Sequence, residues 1–388
     1  MSTEAPAGKP VYNVKNPFLA RVKRAYDLSG PGAPKHTRHY EIDLEGGELE
    51  YLPGDSLAVQ PTNDPALVED TLQVLGFSGE EIVKHPKSGA EVPIRQALLE
   101  ATLITEVDQK LIKAIVEKTG GNTPLNGLLE PEKKEELKNY LWGRFVIDLL
   151  LENPTARFEP QEFMATQKKL NIRLYSISSS QRAHPKEVHL TVATVRYQSH
   201  GRARGGVAST FLAERITVGE TLIPVFVNHG KGFRLPEPQE ETPVIMIGPG
   251  TGIAPFLAFL EEREATGAKG RAWMFFGEVS EKSCFFYKEE FERWLANGTL
   301  HKLSTAWSRD QAEKIYVQHK MLENSAEIYA WLEQGAIVYV CGDASRMAVD
   351  VDKALHTIVE KEGGLSPEAV AAYMAALKEA KRYRRDVY

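Results

Sequence analysis

Ser308, Arg309, Lys314 and Tyr316 bring a hydroxyl, a guanidinium, an ammonium and a phenol into one short stretch, TAWSRDQAEKIYVQHKM. Arginine offers two parallel charge-assisted hydrogen bonds, lysine a compact charge, and serine and tyrosine hydroxyl donors, a set suited to phosphate. Ser308 and Arg309 end an apolar run, and Lys314 and Tyr316 follow on a segment that alternates as an extended strand would. A solvated surface could use the same residues, so the phosphate reading needs support from the rest of the chain.

That support lies at the ends of other apolar runs. VIMI leads into GPGTGIAPF, where Gly248, Gly250, Thr251 and Gly252 precede a helix with Pro255 near its first turn. Glycines let backbone N–H groups approach a phosphate, and a helix N-terminus favours its charge. RAWMFF ends in Gly277 and Glu278, LHKLSTAW in Ser308 and Arg309, and IVYV in Cys341, Gly342 and Asp343. Helical stretches follow most of these runs, which predicts βαβ units on a parallel sheet with ligands at its carboxyl rim. Singly, each motif also fits a tight turn or a buried cysteine. Together on one rim they favour a dinucleotide, with pyrophosphate at the glycine turn and a second phosphate at the basic cluster. No acidic residue replaces Ser308 or Arg309, which favours NADP over NAD.

The first part of the chain reads differently. FLARVKRAY, TRHYEIDLEGG and LEYLPGDSLAV alternate with period two between turn residues, and NIRLYSISSS, VHLTVATVRY and ETLIPVFVN resume that pattern after a helical stretch. The expected architecture is an antiparallel β-barrel interrupted by a helical insert. RLYSISSS places Arg173, Tyr175 and Ser176 on a strand, and RGGVASTFL opens a second anion-ready helix at Gly206, Val207, Ala208 and Ser209. Two phosphate-friendly sites suggest two nucleotides.

Composition narrows the classes. The 388 residues allow two or three domains, and 42% hydrophobic with 26% charged residues describes an ordinary globular protein. A net charge of −6 argues against a nucleic-acid binder. The opening MSTEAPAGKPVYNVK lacks the blocks of a signal peptide, and no apolar run suits a membrane helix, so the expected home is the reducing cytoplasm. Cys284 and Cys341 are too few for a disulfide framework or an iron–sulfur or four-thiolate metal site, and no metal is expected. HExxH, GxSxG and CxxC motifs do not occur.

RLYSISSS, GRARGGVASTFL, FRLPEPQEETPVIMIGPGTGIAPF, AWSRDQAEKIYVQHKM, VYVCGDASRMAVDV and KRYRRDVY, in that order, resemble the FAD/NADPH half of diflavin reductases, the flavoproteins of NADPH–sulfite reductase in particular. The likeness runs from about Tyr12 to Tyr388. It implies a ferredoxin–NADP reductase-like fold: an FAD-binding β-barrel over 1–63 and 166–237, a helical connecting insert over 64–165, and an NADP-binding α/β domain over 238–388.

The resemblance also assigns roles. Arg173, Leu174, Tyr175, Ser176 and the Gly206 to Ser209 turn would bind FAD, with Tyr175 against the flavin and Arg173 on the pyrophosphate. Thr191, Val192, Ala193 and Tyr197 would complete that pocket, joined by Thr105 from the insert. Ser308, Arg309, Lys314, Ile315, Tyr316, Val317 and Gln318 would hold the 2′-phosphate and adenosine of NADPH, with Asp350 at a further NADP position and Gly250 and Thr251 at the glycine turn. Ser176, Cys341 and Asp386 would surround the point of hydride transfer, and Tyr388 would stack on the flavin until nicotinamide displaces it.

The relatives carry a flavodoxin-like FMN domain before this region, and this sequence holds none. Electrons are therefore expected to leave singly to a separate FMN protein, flavodoxin or ferredoxin, with a sulfite reductase hemoprotein as one destination. A ferredoxin- or flavodoxin–NADP reductase running toward NADPH, and a non-catalytic nucleotide-binding subunit, are the competing readings.

Overall fold

A computed structural model describes residues 11–230 and 232–388. The first ten residues, where the signal-peptide reading began, lie outside the described residues. The chain forms two compact units. One comprises 1–58, 174–193 and 217–388, and the other 59–173 and 194–216.

The first unit contains two sheets. Six strands build the antiparallel one: β1 (Phe18–Asp27), β2 (His36–Asp43), β3 (Ser56–Val59), β4 (Arg173–Ser176), β5 (Glu187–Thr194) and β6 (Leu222–Asn228). Their spatial order is β4-β3-β6-β1-β2-β5. An antiparallel bridge between Ile177, just beyond β4, and Leu190 of β5 joins the two ends of that order. The Ser178 N–H donates to the His189 carbonyl at 2.9 Å beside it. The expected barrel is thereby closed, and closure removes exposed strand edges.

The parallel sheet has β7 (Val244–Ile247), β8 (Ala272–Glu278), β9 (Lys302–Trp307), β10 (Ile337–Gly342) and β11 (Tyr383–Val387), in the order β9-β8-β7-β10-β11. All four residues of β7 are buried, as a central strand covered on both faces requires. Ile245 and Ile247 join one core with Trp273, Val338 and Leu355, and Val244 and Met246 join another with Phe256, Phe276 and Tyr339. The order runs outward from β7 through β8 and β9, then reverses through β10 and β11. The reversal falls between β7 and β10, the place where such sheets bind ligands.

The second unit is largely helical, with helices at Pro65–Leu75, Ile94–Glu100, Gln109–Lys118, Lys134–Leu141, Val146–Glu152, Pro160–Ala165 and Val207–Glu214. The apolar faces of the first six meet in one core that includes Leu72, Leu98, Ile112, Leu149 and Phe163. A hairpin pairs Arg196–Ser199 with Arg202–Gly205. His200 and Gly201, at φ 48° and 70°, make its two-residue turn. No helix among the described residues is long and apolar enough to cross a membrane.

One local expectation fails. Lys314 and Tyr316 do not extend a strand: β9 stops at Trp307, and the chain turns irregularly until the Val317–Glu323 helix. Gln311 turns back on this segment, its amide donating to the Glu313 carbonyl at 2.8 Å, and the Tyr316 N–H donates to His319 Nδ1 at 3.1 Å at the helix start. Local side-chain bonds to the backbone replace a ladder that has no neighbouring strand to complete it.

Candidate functional site

The carboxyl ends of β7 and β10 touch. Gly252, in the 3₁₀ turn Gly250–Ile253 after β7, lies so close to β10 that a Cβ there would sit 2.2 Å from the Cys341 carbonyl oxygen. Only glycine allows that approach. Gly250 has φ 59° and leads toward the Ala254–Thr266 helix, which carries Pro255 in its first turn. The expected glycine turn therefore stands at the reversal of strand order.

Three residues far apart in sequence meet beside it. Asp386 on β11 pairs with Cys341 on β10. The Ser176 hydroxyl, at the end of β4, donates to Asp386 Oδ2 at 3.0 Å. Cys341 is fully buried; burial foremost, and then the Asp386 charge, push its thiol well above the ordinary range, while the Ser176 hydrogen bond acts in the opposite sense. A thiol so placed stays protonated and presents polarisable, apolar surface rather than a nucleophile. Tyr388 follows directly: its N–H donates to the Gly342 carbonyl at 3.1 Å, and its phenol is 3.1 Å from Thr251 Oγ1 of the glycine turn. The residue is 56% exposed, so the side chain that ends the chain beside the glycine turn is reached by solvent.

At the β8 and β9 ends, the Ser308 and Arg309 N–H groups donate to the Glu278 and Val279 carbonyls at 2.9 and 2.8 Å. This fixes the start of the basic segment. Arg309, Lys314 and Tyr316 are exposed, Ile315 and Gln318 half-buried, and Val317 buried in the core. Neither the Arg309 guanidinium nor the Lys314 ammonium forms an ion pair among the described residues. Their charges are uncommitted, as a phosphate site needs. Asp350 lies in the first turn of the Met347–Gly363 helix, 4.0 Å from Lys353 Nζ.

Of the residues expected at FAD, the first unit places Leu174 exposed and Tyr175 half-buried on β4, with Thr191, Val192 and Ala193 on β5. Val192 is buried, and Thr191 Oγ1, on the opposite face of the strand, lies 2.6 Å from the buried Tyr287 hydroxyl, so that side chain is committed to the segment before the Lys288–Asn297 helix.

The second unit holds Arg173, exposed, together with Thr105, Tyr197 and the Gly206 to Ser209 turn. No side chain caps the Val207–Glu214 helix. The Ser209 hydroxyl instead accepts from the Val195 N–H at 3.1 Å and donates to the Gly206 carbonyl at 3.2 Å. A Cβ on Gly206 would lie 2.9 Å from Ser209 Oγ, so the backbone packs closely there, and the Gly206 N–H donates to the Val195 carbonyl at 3.0 Å just ahead of the uncapped helix. Thr105 and Tyr197 line one cleft of about 480 Å³ with Leu137, Trp142 and Phe145. Lys134, Lys138, Arg144 and Lys168, with Glu106, also edge this cleft, and apolar walls, basic side chains and an uncapped helix terminus together suit a ring system with phosphates.

Sequence reasoning passed over what holds this region. Arg204, in GRARGG, pairs with Asp148 at 2.5 Å, and their side chains are 1% and 6% exposed. Asp148 also accepts the Phe145 N–H at 2.7 Å, and the Arg204 guanidinium stacks 4.3 Å over the Phe145 ring. The available signal was a single carboxylate inside the apolar run FVIDLL, since a buried charge needs a partner.

A closed antiparallel barrel and a parallel sheet with a glycine turn at its reversal, meeting at a serine, a thiol and a carboxylate, define a flavoprotein oxidoreductase of the two-nucleotide class. The chain belongs to the FAD binding domain family: residues 10–211 match its model, and residues 246–353 match that of the oxidoreductase NAD-binding domain. Both expected nucleotides thus have their domains here. The chain is 48% identical over 381 residues to a sulfite reductase [NADPH] flavoprotein alpha-component of Bacillus subtilis, covering 98% of this chain and 62% of that protein. Proteins of the same description from Vibrio parahaemolyticus and Zymomonas mobilis are 41% and 42% identical, over 99% and 97% of this chain and 60% and 61% of theirs. The chain therefore spans about three fifths of the length of these relatives.

Proposed function

We propose that this chain is the NADPH-oxidising, FAD-bearing part of an electron-transfer system whose acceptor is a separate protein or module. When bound, FAD supplies the change from a two-electron donor to one-electron steps. The chain's residues supply position and charge. Ser176 and Asp386, joined at 3.0 Å, set a hydroxyl and a carboxylate at one point beside Cys341. That carboxylate favours the positive ring left when a nicotinamide gives up its hydride. Cys341 offers a neutral contact surface, and Tyr388 covers the cluster until a nicotinamide ring takes its place. This cluster is the observation that carries the reading, because a module that only bound nucleotides would have no use for it.

Cofactor preference follows from Ser308, Arg309, Lys314, Tyr316 and Gln318, which we assign to the 2′-phosphate and adenosine, with Ile315 and Val317 as their framework and Asp350 nearby. Gly250 and Thr251 serve the pyrophosphate of the same nucleotide. We assign Leu174, Tyr175, Ser176, Val192 and Ala193 in the first unit to FAD, and Arg173, Thr105, Tyr197 and Gly206 to Ser209 in the second. Thr191 supports β5 through Tyr287. The division into barrel, helical insert and NADP-binding domain, at 64, 166 and 238, is retained as part of this reading. The names of the relatives point to sulfite reduction, with a hemoprotein as the final acceptor, and a cytoplasmic setting suits NADPH and two free thiols.

The test is anaerobic reduction of separately supplied flavodoxin, ferredoxin and an FMN protein by the FAD-loaded chain and NADPH. NADPH-driven reduction of at least one supports the reading. An FAD-loaded chain that leaves all three oxidised while holding NADPH would contradict it.

A further inference from the structure

Between β5 and the Ala254–Thr266 helix, two imidazoles and a carboxylate converge without a role in the reading above. His189 lies on β5 and is 5% exposed, and His184 sits in the turn before that strand. Their rings are tilted at 49° with centroids 4.2 Å apart. Glu261, on the Ala254–Thr266 helix, points Oε1 at His184 Nε2 from 3.3 Å. One donor atom from each of the three falls within 4.8 Å of the others.

We propose that His184, His189 and Glu261 form a binding site for a divalent transition-metal ion of the zinc class. Imidazole nitrogen with carboxylate oxygen is the donor set that zinc and its neighbours favour, whereas magnesium and calcium take oxygen alone. Two donors about 2.1 Å from a tetrahedral ion lie about 3.4 Å apart, and the His184–Glu261 separation already meets that spacing. One donor nitrogen of His189 lies within 4.8 Å of both, so its ring has to close a gap of up to about 1.4 Å to reach the same spacing.

The surroundings aim these donors. The Ser180 N–H donates to Glu261 Oε2 at 2.7 Å, which turns Oε1 toward His184. The His184 backbone N–H donates to the Ser180 carbonyl at 2.9 Å, fixing the turn, and the His189 backbone N–H donates to Ser179 Oγ at 2.9 Å. The Ser180 bond to Glu261 is of the kind that orients a ligating carboxylate, and the two backbone bonds fix the segments that carry the imidazoles. Glu187 Oε2, 3.2 Å from His189 Nε2, stands ready for the fourth position, while its Oε1 pairs with Lys23. His39 packs edge-on against His189, but its Nδ1 is 2.9 Å from the Tyr287 hydroxyl and lies outside the donor set. Side-chain exposures of 33% for His184 and 18% for Glu261 leave an entry route. An ion here would pin β5 of the barrel to the helix that begins at the Gly250–Thr251 turn.

The test is calorimetric titration of Zn²⁺ into the FAD-loaded chain after chelator treatment, with Mg²⁺ as a control. The expected result is one Zn²⁺ per chain, no response to Mg²⁺, and affinity weakened by more than about tenfold in His184→Gln and in His189→Gln. Flavin absorbance and circular dichroism verify folding. The half-exposed His184 makes His184→Gln decisive should the buried substitution disturb the barrel. Failure to bind Zn²⁺ stoichiometrically, or binding that survives His184→Gln unchanged, would overturn the proposal. Neither result bears on nucleotide binding or electron transfer, so the two readings fail independently.

Discussion

Ser176, at the end of a barrel strand, donates its hydroxyl proton to Asp386, which pairs with Cys341 on the neighbouring parallel strand. One hydrogen bond thus ties the end of β4 to the carboxyl rim of the parallel sheet. A bond to a charged partner contributes about 1.5–3 kcal/mol. Ser176→Ala and Asp386→Asn should therefore each slow NADPH-driven flavin reduction by about ten- to a hundredfold, and the double variant should lose less than the product. Stopped-flow absorbance of the three variants measures the coupling; independent, multiplicative losses would separate the two residues.

Cys341 should behave as a neutral thiol. Its pKa is raised in the fold, chiefly by burial, so its stabilising contribution is intact below the unfolded value of about 8.5 and declines above it, where only the unfolded chain releases the proton. Denaturation followed from pH 8 to 10 should show a shallower alkaline decline in Cys341→Ala than in the wild type, by up to about 1.4 kcal/mol per pH unit. Iodoacetamide at pH 8 should label Cys341 only after unfolding, and rapid labelling of the native chain would refute the neutral-thiol role.

Arg309→Ala and Lys314→Ala remove charges that have no ion-pair partner among the described residues. Each should weaken NADPH binding by about ten- to a hundredfold while leaving NADH nearly unaffected. Steady-state KM values for both nucleotides distinguish this from a general loss, in which NADH would suffer equally.

Arg204 and Asp148 form a buried ion pair in the second unit. Breaking such a pair by removing one partner costs about 3–5 kcal/mol. Arg204→Ala should lower the denaturation midpoint accordingly, as read by urea titration with circular dichroism. A loss below about 1 kcal/mol would mean that water replaces the guanidinium at no great cost.

What the sequence revealed depended on range. β7, β8, β9 and β10 are compact apolar runs ending in glycine, serine or cysteine, and both signals are local, so strands and rim were legible together. β11 carries no strand signal in the sequence because Arg384, Arg385 and Asp386 stand in a row within Tyr383–Val387, on a sheet edge where one side lacks a neighbouring strand. Lys314 and Tyr316 were misplaced on a strand because alternation persists by chance in an irregular turn. The Arg204–Asp148 pair and the approach of Glu261 to His184 join residues far apart along the chain, and only folding brings them together. The meeting of Ser176 with Asp386 is equally remote in sequence, and it was expected only through family resemblance.

The central claim is that this chain passes a hydride between two bound nucleotides at Ser176, Cys341 and Asp386. Anaerobic addition of one equivalent of NADPH to the FAD-loaded chain tests it most directly, read as loss of flavin absorbance and repeated with NADPH deuterated at nicotinamide C4. The account predicts prompt bleaching in the wild type, slower with the deuterated donor, and slower still in Asp386→Asn with FAD retained. Flavin that stays oxidised, or that bleaches equally fast in Asp386→Asn, would contradict it.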